Sequence, residues 1–236
     1  MIKVTLKDNT VIEVEKGTSI IEVAKKISEG LARNATAGEV NGKIEDLRFN
    51  LTEDCNLVIH TFQDEDIEGK KAYWHTTSHI MAQAVQRLFP DVKFAIGPSI
   101  ENGFYYDFDV EKPFTDEDKA NIEKEMKKII KENIAIERFV LSKKEAIELM
   151  KNQPYKKELI EELPEGEEIS FYKQGDFTDL CAGPHLMSTG KVKSVKILSS
   201  SGAYWRGNEK NKMLQRIYAI SFPKASQLEA YLQFLE

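Results

Sequence analysis

The chain of 236 residues has four histidines and two cysteines, and three of the histidines and one cysteine fall in two short stretches. His75 and His79 bound the stretch HTTSH, and Cys181 and His185 lie in DLCAGPH. Residues four apart on a helix project from one face. His75 and His79 can therefore turn two ring nitrogens onto one metal or one substrate. Gly183-Pro184 lies between Cys181 and His185 and forbids a regular helix there, so that pair belongs to a loop. Either pair alone is a weak signal, because such spacings are common in structural positions. Two pairs that use most of a scarce supply of His and Cys point to one shared site of three imidazoles and a thiol. Such a set can hold zinc tetrahedrally, or serve as acids, bases and donors around a reacting ester. No Glu follows His75, so the HExxH metalloprotease signature is absent. The serine nucleophile elbow GxSxG is missing as well.

The elements that must position these residues are legible from periodicity. IKVTL alternates Ile2, Val4 and Leu6 on one face of a strand, Asp8-Asn9 suits a turn, and TVIEVEKG returns as a second strand. TSIIEVAKKIS carries Ile20, Val23, Ala24 and Ile27 at helical spacing behind Thr18 or Ser19 as N-cap. Asn41-Gly42 marks a hairpin, and NLVIHTF closes the unit as a strand. Strand, strand, helix, strands over residues 1–62 is the pattern of a ubiquitin-like β-grasp domain. His60, in the last strand, has no evident partner nearby in sequence and reads as structural. QDEDIEGKKAYW is polar, which suggests a linker over 63–72. From 73 to 224 the pattern is that of a larger α+β domain with a mainly antiparallel sheet. HTTSHIMAQAVQRLF is a helix with Ile80, Ala84 and Leu88 on one stripe, stopped by Pro90. KFAIGPSIENGFYYDFDV gives two strands about Glu101-Asn102-Gly103. A helix follows from Thr115 with Ile122, Met126, Ile129 and Ile130 inward. IAIERFVLS is a strand, and Ser142 with Glu145 makes a capping box for another helix. Further strands fall at 169–172, 192–198 and 213–220. The helix that begins at Pro223 has no C-cap, so residues 225–236 read as the start of a connection to a further domain.

Composition sets limits. Apolar residues make up 41% of the chain and charged residues 31%, enough for a packed core and unlike a disordered chain. Two cysteines supply no disulfide framework, and no signal peptide or membrane-spanning run is read, so the expected location is cytoplasmic. The net charge of −6 argues against indiscriminate nucleic-acid coating. Between Leu186 and Lys224, however, eight Lys and Arg stand against Glu209 alone, an excess that can meet phosphates or simply cover a solvated sheet.

HTTSHIMAQAVQRLFP, AIGPSIENGFYYDFD, DLCAGPH and GAYWRGNEKNKMLQRIYA, in that order, resemble the editing domain of bacterial threonyl-tRNA synthetases. The leading β-grasp residues resemble the small N-terminal domain of the same enzymes, a type shared with certain GTPases and stringent-response proteins. Alanyl-tRNA synthetases carry a related HxxxH and CxxxH domain, but CAGPH, NGFYYD and the leading β-grasp unit favour the threonyl type. The resemblance implies proofreading: hydrolysis of the aminoacyl ester of serine mischarged onto the threonine tRNA. Serine lacks one methyl group of threonine, and a pocket discriminates such a difference by only about 1–3 kcal/mol, so a second site that excludes the methyl group is needed. The implied ATP-dependent core, which charges the tRNA with threonine, and the anticodon-binding domain do not fit in this length. By the same resemblance the full-length enzyme is a homodimer and this stretch by itself a monomer.

The resemblance also implies residue roles. His75, His79, Cys181 and His185 line the ester and the attacking water. Lys156, in NQPYKKEL, holds the water or donates to the oxyanion; otherwise it is a surface lysine. Asp179 takes the serine ammonium or orients an imidazole; otherwise it is a turn residue. Tyr106 stacks or hydrogen-bonds near the terminal adenosine, its plain alternative being core packing, and Tyr204 and Arg206 meet the RNA end or belong to a strand. Editing of the threonyl type requires no cofactor; zinc, if present, falls to His75, His79, Cys181 and His185, and ATP belongs to the absent core. Two other classes compete: a zinc-dependent small-molecule hydrolase, suggested by the four donors alone, and a non-catalytic RNA-binding module, suggested by the β-grasp unit and the basic stretch.

Overall fold

A computed structural model describes all 236 residues, which fall into two compact units: Met1–Tyr73 with Gly183–Met187, and Trp74–Ala182 with Ser188–Glu236.

In the first unit, β1 (Ile2–Leu6) buries Ile2 and Val4 and pairs antiparallel with β2 (Val11–Val14). The turn between them is closed by Asp8, whose carboxylate accepts the Thr10 N–H. α1 (Ile20–Ile27) starts at Ser19, whose hydroxyl accepts the Glu22 N–H, and buries Ile20, Ile21, Val23 and Ala24. α2 (Glu29–Asn34), not anticipated from the sequence, is capped in turn by Ser28. β3 (Ala35–Val40) and β4 (Lys43–Glu45) are joined through Asn41 and Gly42, both at positive φ as a tight hairpin requires. β5 (Cys55–Thr61) pairs parallel with β1 and antiparallel with β3, giving the order β2-β1-β5-β3-β4. The α1 face packs on this sheet, and partly buried Met187 joins the same core.

The expected linker is largely helical. α3 runs Ile67–Leu88, so the polar stretch 63–72 already contains its first turn and a half. Asp66 explains the start: its carboxylate accepts the Gly69 N–H at 2.9 Å and the Thr61 N–H at 3.2 Å. A Cβ on Gly69 would overlap the Thr61 carbonyl, so only glycine lets helix and strand approach this closely. His60 has partners after all, with one ring nitrogen 2.8 Å from Asp66 and the other 2.8 Å from Glu39.

In the second unit α3 is buried on every side from Trp74 to Val85 except at His75, and its end is open, with Leu88 exposed. Around it lie β6 (Lys93–Phe94), β7 (Ser99–Ile100), β8 (Gly103–Asp109), α4 (Asp116–Glu132), β9 (Ile136–Leu141), α5 (Lys143–Leu149), α6 (Pro154–Glu161), β10 (Ile169–Gln174), β11 (Phe177–Leu180), β12 (Ser194–Tyr204), β13 (Met213–Phe222) and α7 (Ala225–Leu235). Both sheets are antiparallel: β11-β10-β9, and β12-β13-β8-β6 with β7 beside β8. Thr115 with Asp118, and Ser142 with Glu145, form reciprocal capping boxes. The fold is α+β with mostly antiparallel sheets.

Candidate active site

Helix α3 sets the first pair of side chains. The residues between the two histidines, Thr76, Thr77 and Ser78, are fully buried and hold the helix from within. The Thr77 and Ser221 hydroxyls lie 2.8 Å apart, the Ser78 hydroxyl donates to the carbonyl of Gly97 at 2.9 Å, and the Trp74 indole N–H donates to the Ser221 carbonyl at 2.8 Å. With the helix clamped against β13 and the β6–β7 segment, His75 and His79 project together, their ring centroids 5.4 Å apart and their planes nearly perpendicular.

Hairpin β10–β11 brings the second set. Gly175 turns it at positive φ, and Asp179 pairs opposite Tyr172. Cys181 follows, its N–H donating to the Ser170 carbonyl at 3.1 Å. Its Sγ lies 3.2 Å from His75 Nε2, within reach of a thiol–imidazole hydrogen bond. Asp179 is 2% exposed, and its two oxygens meet three groups: Lys156 Nζ at 2.8 Å, the Tyr106 hydroxyl at 2.6 Å and His79 Nε2 at 3.4 Å. Lys156 comes from α6, which begins with Pro154 in its first turn, and it is only 4% exposed. Its ammonium also stands 5.3 Å from the Tyr106 ring centroid.

Burial governs the electrostatics. It holds the His79 imidazole down at about 3 and that of His75 at about 4, against an ordinary 6.5. Asp179 raises both only in part. For Asp179 itself burial pulls upward, but Lys156, His79 and the Tyr106 hydrogen bond outweigh it and keep the carboxyl below its usual range. Burial, reinforced by Asp179, raises the Tyr106 phenol well above its ordinary value. At neutral pH the cluster therefore has two neutral imidazoles and an ionised Asp179 carboxylate, with Lys156 Nζ 2.8 Å from it. His75 is the member that keeps some surface.

The structure thus groups His75, His79, Lys156, Asp179, Cys181 and Tyr106 within the second unit. Lys156 is not a surface lysine. Tyr106 is wholly buried, stacked on Phe108 at 4.9 Å; no face of its ring is open for a base, and its hydroxyl holds Asp179. Tyr204 is 39% exposed, and Arg206 pairs with Glu162, just past the end of α6, at 2.8 Å. His185 lies on the Gly183–Met187 segment of the first unit, fully buried, where its N–H donates to Asp46 at 3.1 Å. Half of the eight cations of the basic stretch are paired with acids: Lys196 with Glu123, Arg206 with Glu162, Lys212 with Asp109 and Arg216 with Asp107. The ring nitrogens of His75 and His79 and the Cys181 sulfur lie within 4.8 Å of one another, a donor set chemically suited to zinc.

α6 and β11, which carry Lys156 and Asp179, were not among the expected elements. Pro154, a first-turn residue, and the Gly175 turn were the available signals. Ser78 and Gly97, which orient the helix, gave no sign in the sequence, because their partner atoms are backbone carbonyls or side chains far along the chain.

Comparison with known proteins covers both units. Residues 2–61 match the TGS domain family, and residues 169–218 match the family described as the threonyl and alanyl tRNA synthetase second additional domain. The threonine–tRNA ligase of Caldanaerobacter subterraneus subsp. tengcongensis is 66% identical over 99% of the chain. That of Acetivibrio thermocellus is 65% identical over 100% of the chain, and that of Clostridium perfringens 62% identical over 100%. The chain spans only 36–37% of the length of these relatives. No helix is long and apolar enough to cross a membrane.

Proposed function

The chain corresponds to the N-terminal region of threonine–tRNA ligases, and on that premise we propose that its second unit hydrolyses the ester of seryl-tRNA bearing the threonine tRNA. The observation that carries this reading is the buried group itself: His75, His79 and Cys181 beside the Lys156–Asp179 pair. A neutral imidazole can accept a proton from water, and His75, the partly exposed one, takes that role. Lys156, whose charge is held in place by Asp179, donates to the oxyanion that develops on the ester carbonyl. Asp179 orients His79 and Lys156. With those partners and the Tyr106 hydroxyl already on its oxygens, this role suits it better than capture of the serine ammonium. Threonine is rejected by its extra methyl group. The full-length protein would charge the tRNA in a core outside these residues, act as a homodimer and work in the cytoplasm.

The test is deacylation of seryl-tRNA and threonyl-tRNA, both on the threonine tRNA, by the chain and by His75→Ala. The seryl ester should be hydrolysed and the threonyl ester spared, and the variant should lose roughly 100-fold or more of the rate. Equal hydrolysis of both esters, or an unaffected His75→Ala, would overturn the reading. The tight N, N, S donor set favours one alternative, a zinc site. Near-stoichiometric zinc in purified protein, with hydrolysis abolished by a chelator and restored by zinc, would establish that instead.

A further inference from the structure

The helix that carries Lys156 is short and is held from more than one side. Lys156 and Ile160, four residues apart, form the buried side of α6. Just before its first residue, the Gln153 side-chain carbonyl accepts the Phe94 N–H at 2.9 Å. One residue from Lys156, the Tyr155 hydroxyl donates to Asp109 at 2.7 Å. Glu158 stands two residues on from Lys156, about 200° round the helix, and accepts the Trp205 indole N–H at 2.7 Å. The Trp205 ring meets the Tyr155 ring edge-on at 5.0 Å. With Ala95 and Leu214 it forms a small apolar cluster against which Tyr155 and Leu159 pack. α6 is therefore anchored on the side away from Lys156 as well as through Lys156 itself.

Trp205 is placed by a turn with a strained backbone. Between β12 and β13, Arg206 has φ of 58° and Gly207 of 67°. The other three non-glycine residues at positive φ are asparagines, which tolerate that region as arginine does not. The turn is pinned through Trp205, whose N–H donates to the Lys212 carbonyl at 3.0 Å and whose carbonyl accepts the Asn211 side-chain amide at 2.9 Å. So held, Arg206 reaches the same helix, with Nη2 2.8 Å from Glu162 and Nε 3.7 Å from Glu158. Strain that neighbouring contacts hold in place points to a use for the geometry, and here the geometry delivers Trp205 to α6.

We propose that Trp205 and Asp109 are positioning residues for the hydrolytic reaction: by gripping Glu158 and Tyr155 they fix the rotation of α6 about its axis and keep Lys156 Nζ on Asp179. The proposal rests on the reading that Lys156 donates to the oxyanion, and all of its parts lie within the second unit. It gives the YWRG stretch a part in the chemistry that requires no contact with RNA. Neither residue touches substrate, and both act through Lys156.

The test uses the whole chain with seryl-tRNA as substrate. Trp205→Phe and Glu158→Ala delete the same hydrogen bond. Each should lower kcat about tenfold, a fraction of the hundredfold that a displacement of about 1 Å costs a reacting group, with KM within about twofold. Combined, they should be no slower than the slower single variant. Glu158→Gln, which keeps an acceptor oxygen for the indole N–H, should restore the parent rate. Tyr155→Phe, which releases α6 from Asp109, should lower kcat to a similar degree. In a Lys156→Met background none of these changes should cost anything further. Met126→Ala, which opens the core under α4, should lower Tm at least as much as any of them while keeping kcat. If Trp205→Phe or Lys156→Met does not fold, the Glu158→Ala and Glu158→Gln pair decides, since that side chain is 47% exposed. The proposal is overturned by unchanged kcat in Glu158→Ala and Tyr155→Phe, by no recovery in Glu158→Gln, by further losses in the Lys156→Met background, or by an equal kcat loss in Met126→Ala. A wild-type chain that leaves seryl-tRNA intact, or a Lys156→Met variant as fast as the parent, would remove the reading of Lys156 and the role of its anchors with it. Hydrolysis that depends on Lys156 but not on Trp205, Glu158 or Tyr155 would remove the anchors alone.

Discussion

At Asp179 two carboxylate oxygens serve Lys156, the Tyr106 hydroxyl and His79 within a space closed to solvent. An ion pair so buried contributes little net stability, but removing one partner strands the other charge. Asp179→Asn should therefore destabilise the chain by about 3–5 kcal/mol in a urea melt and slow seryl-tRNA hydrolysis beyond what the loss of folded protein explains. A variant as stable as the parent would show that Lys156 escapes to water. At this scale the sequence was informative about donors and silent about burial. HxxxH and CxxxH spacing marked His75, His79, Cys181 and His185. A lysine or tyrosine in a local window, by contrast, says nothing of its depth: only the family resemblance placed Lys156 in the site, its plain reading being a surface lysine, and Tyr106 was expected near the terminal adenosine or else in the core.

Among the elements, the segment between β6 and β7 shows how tightly the site is framed. The Gly97 carbonyl accepts the Ser78 hydroxyl, and a Cβ at Gly97 would overlap the buried Tyr106 ring. Gly97→Ala should thus push Tyr106 off Asp179. The expected result is destabilisation of about 1–3 kcal/mol from overpacking, together with a fall in hydrolysis at temperatures where the variant remains folded. Wild-type melting and rate would mean that the segment yields instead. Caps and hairpin turns were legible, since Ser19, Asn41-Gly42, Thr115 and Ser142 act on neighbours within a few residues. The start of α3 was not. Its first turn is polar like a linker and becomes helical because Asp66 ties it to β5. α6 and β11 were likewise unread: each is short, and each is held by contacts to distant strands.

For the molecule as a whole, pH acts through the buried imidazoles. His75 and His79 bind protons in the unfolded chain near 6.5 but in the folded chain only near 4 and 3. The unfolded state thus takes up more protons throughout that window, and their contribution to stability, complete above about pH 6.5, drains away as pH falls toward 4. Thermal melts should show Tm falling over that range, with a shallower slope in His79→Asn, whereas the parent's slope in that variant would locate the titration elsewhere. Net charge told less. The excess of eight cations between Leu186 and Lys224 left a phosphate surface and a solvated sheet equally open, and four of the eight, Lys196, Arg206, Lys212 and Arg216, are matched by acids of α4, of β8 and at the end of α6. What the sequence by itself determined is local: strand alternation, helix faces, caps, and the identity and spacing of the donor residues. These follow from backbone geometry and hydrogen bonds that span a few positions. Only the tertiary structure decided that Lys156 is buried on Asp179, that Tyr106 supports the site from behind, and that Trp205 and Asp109 grip α6. Each of these depends on groups tens of residues or more apart meeting where water is excluded, and no local pattern encodes that meeting.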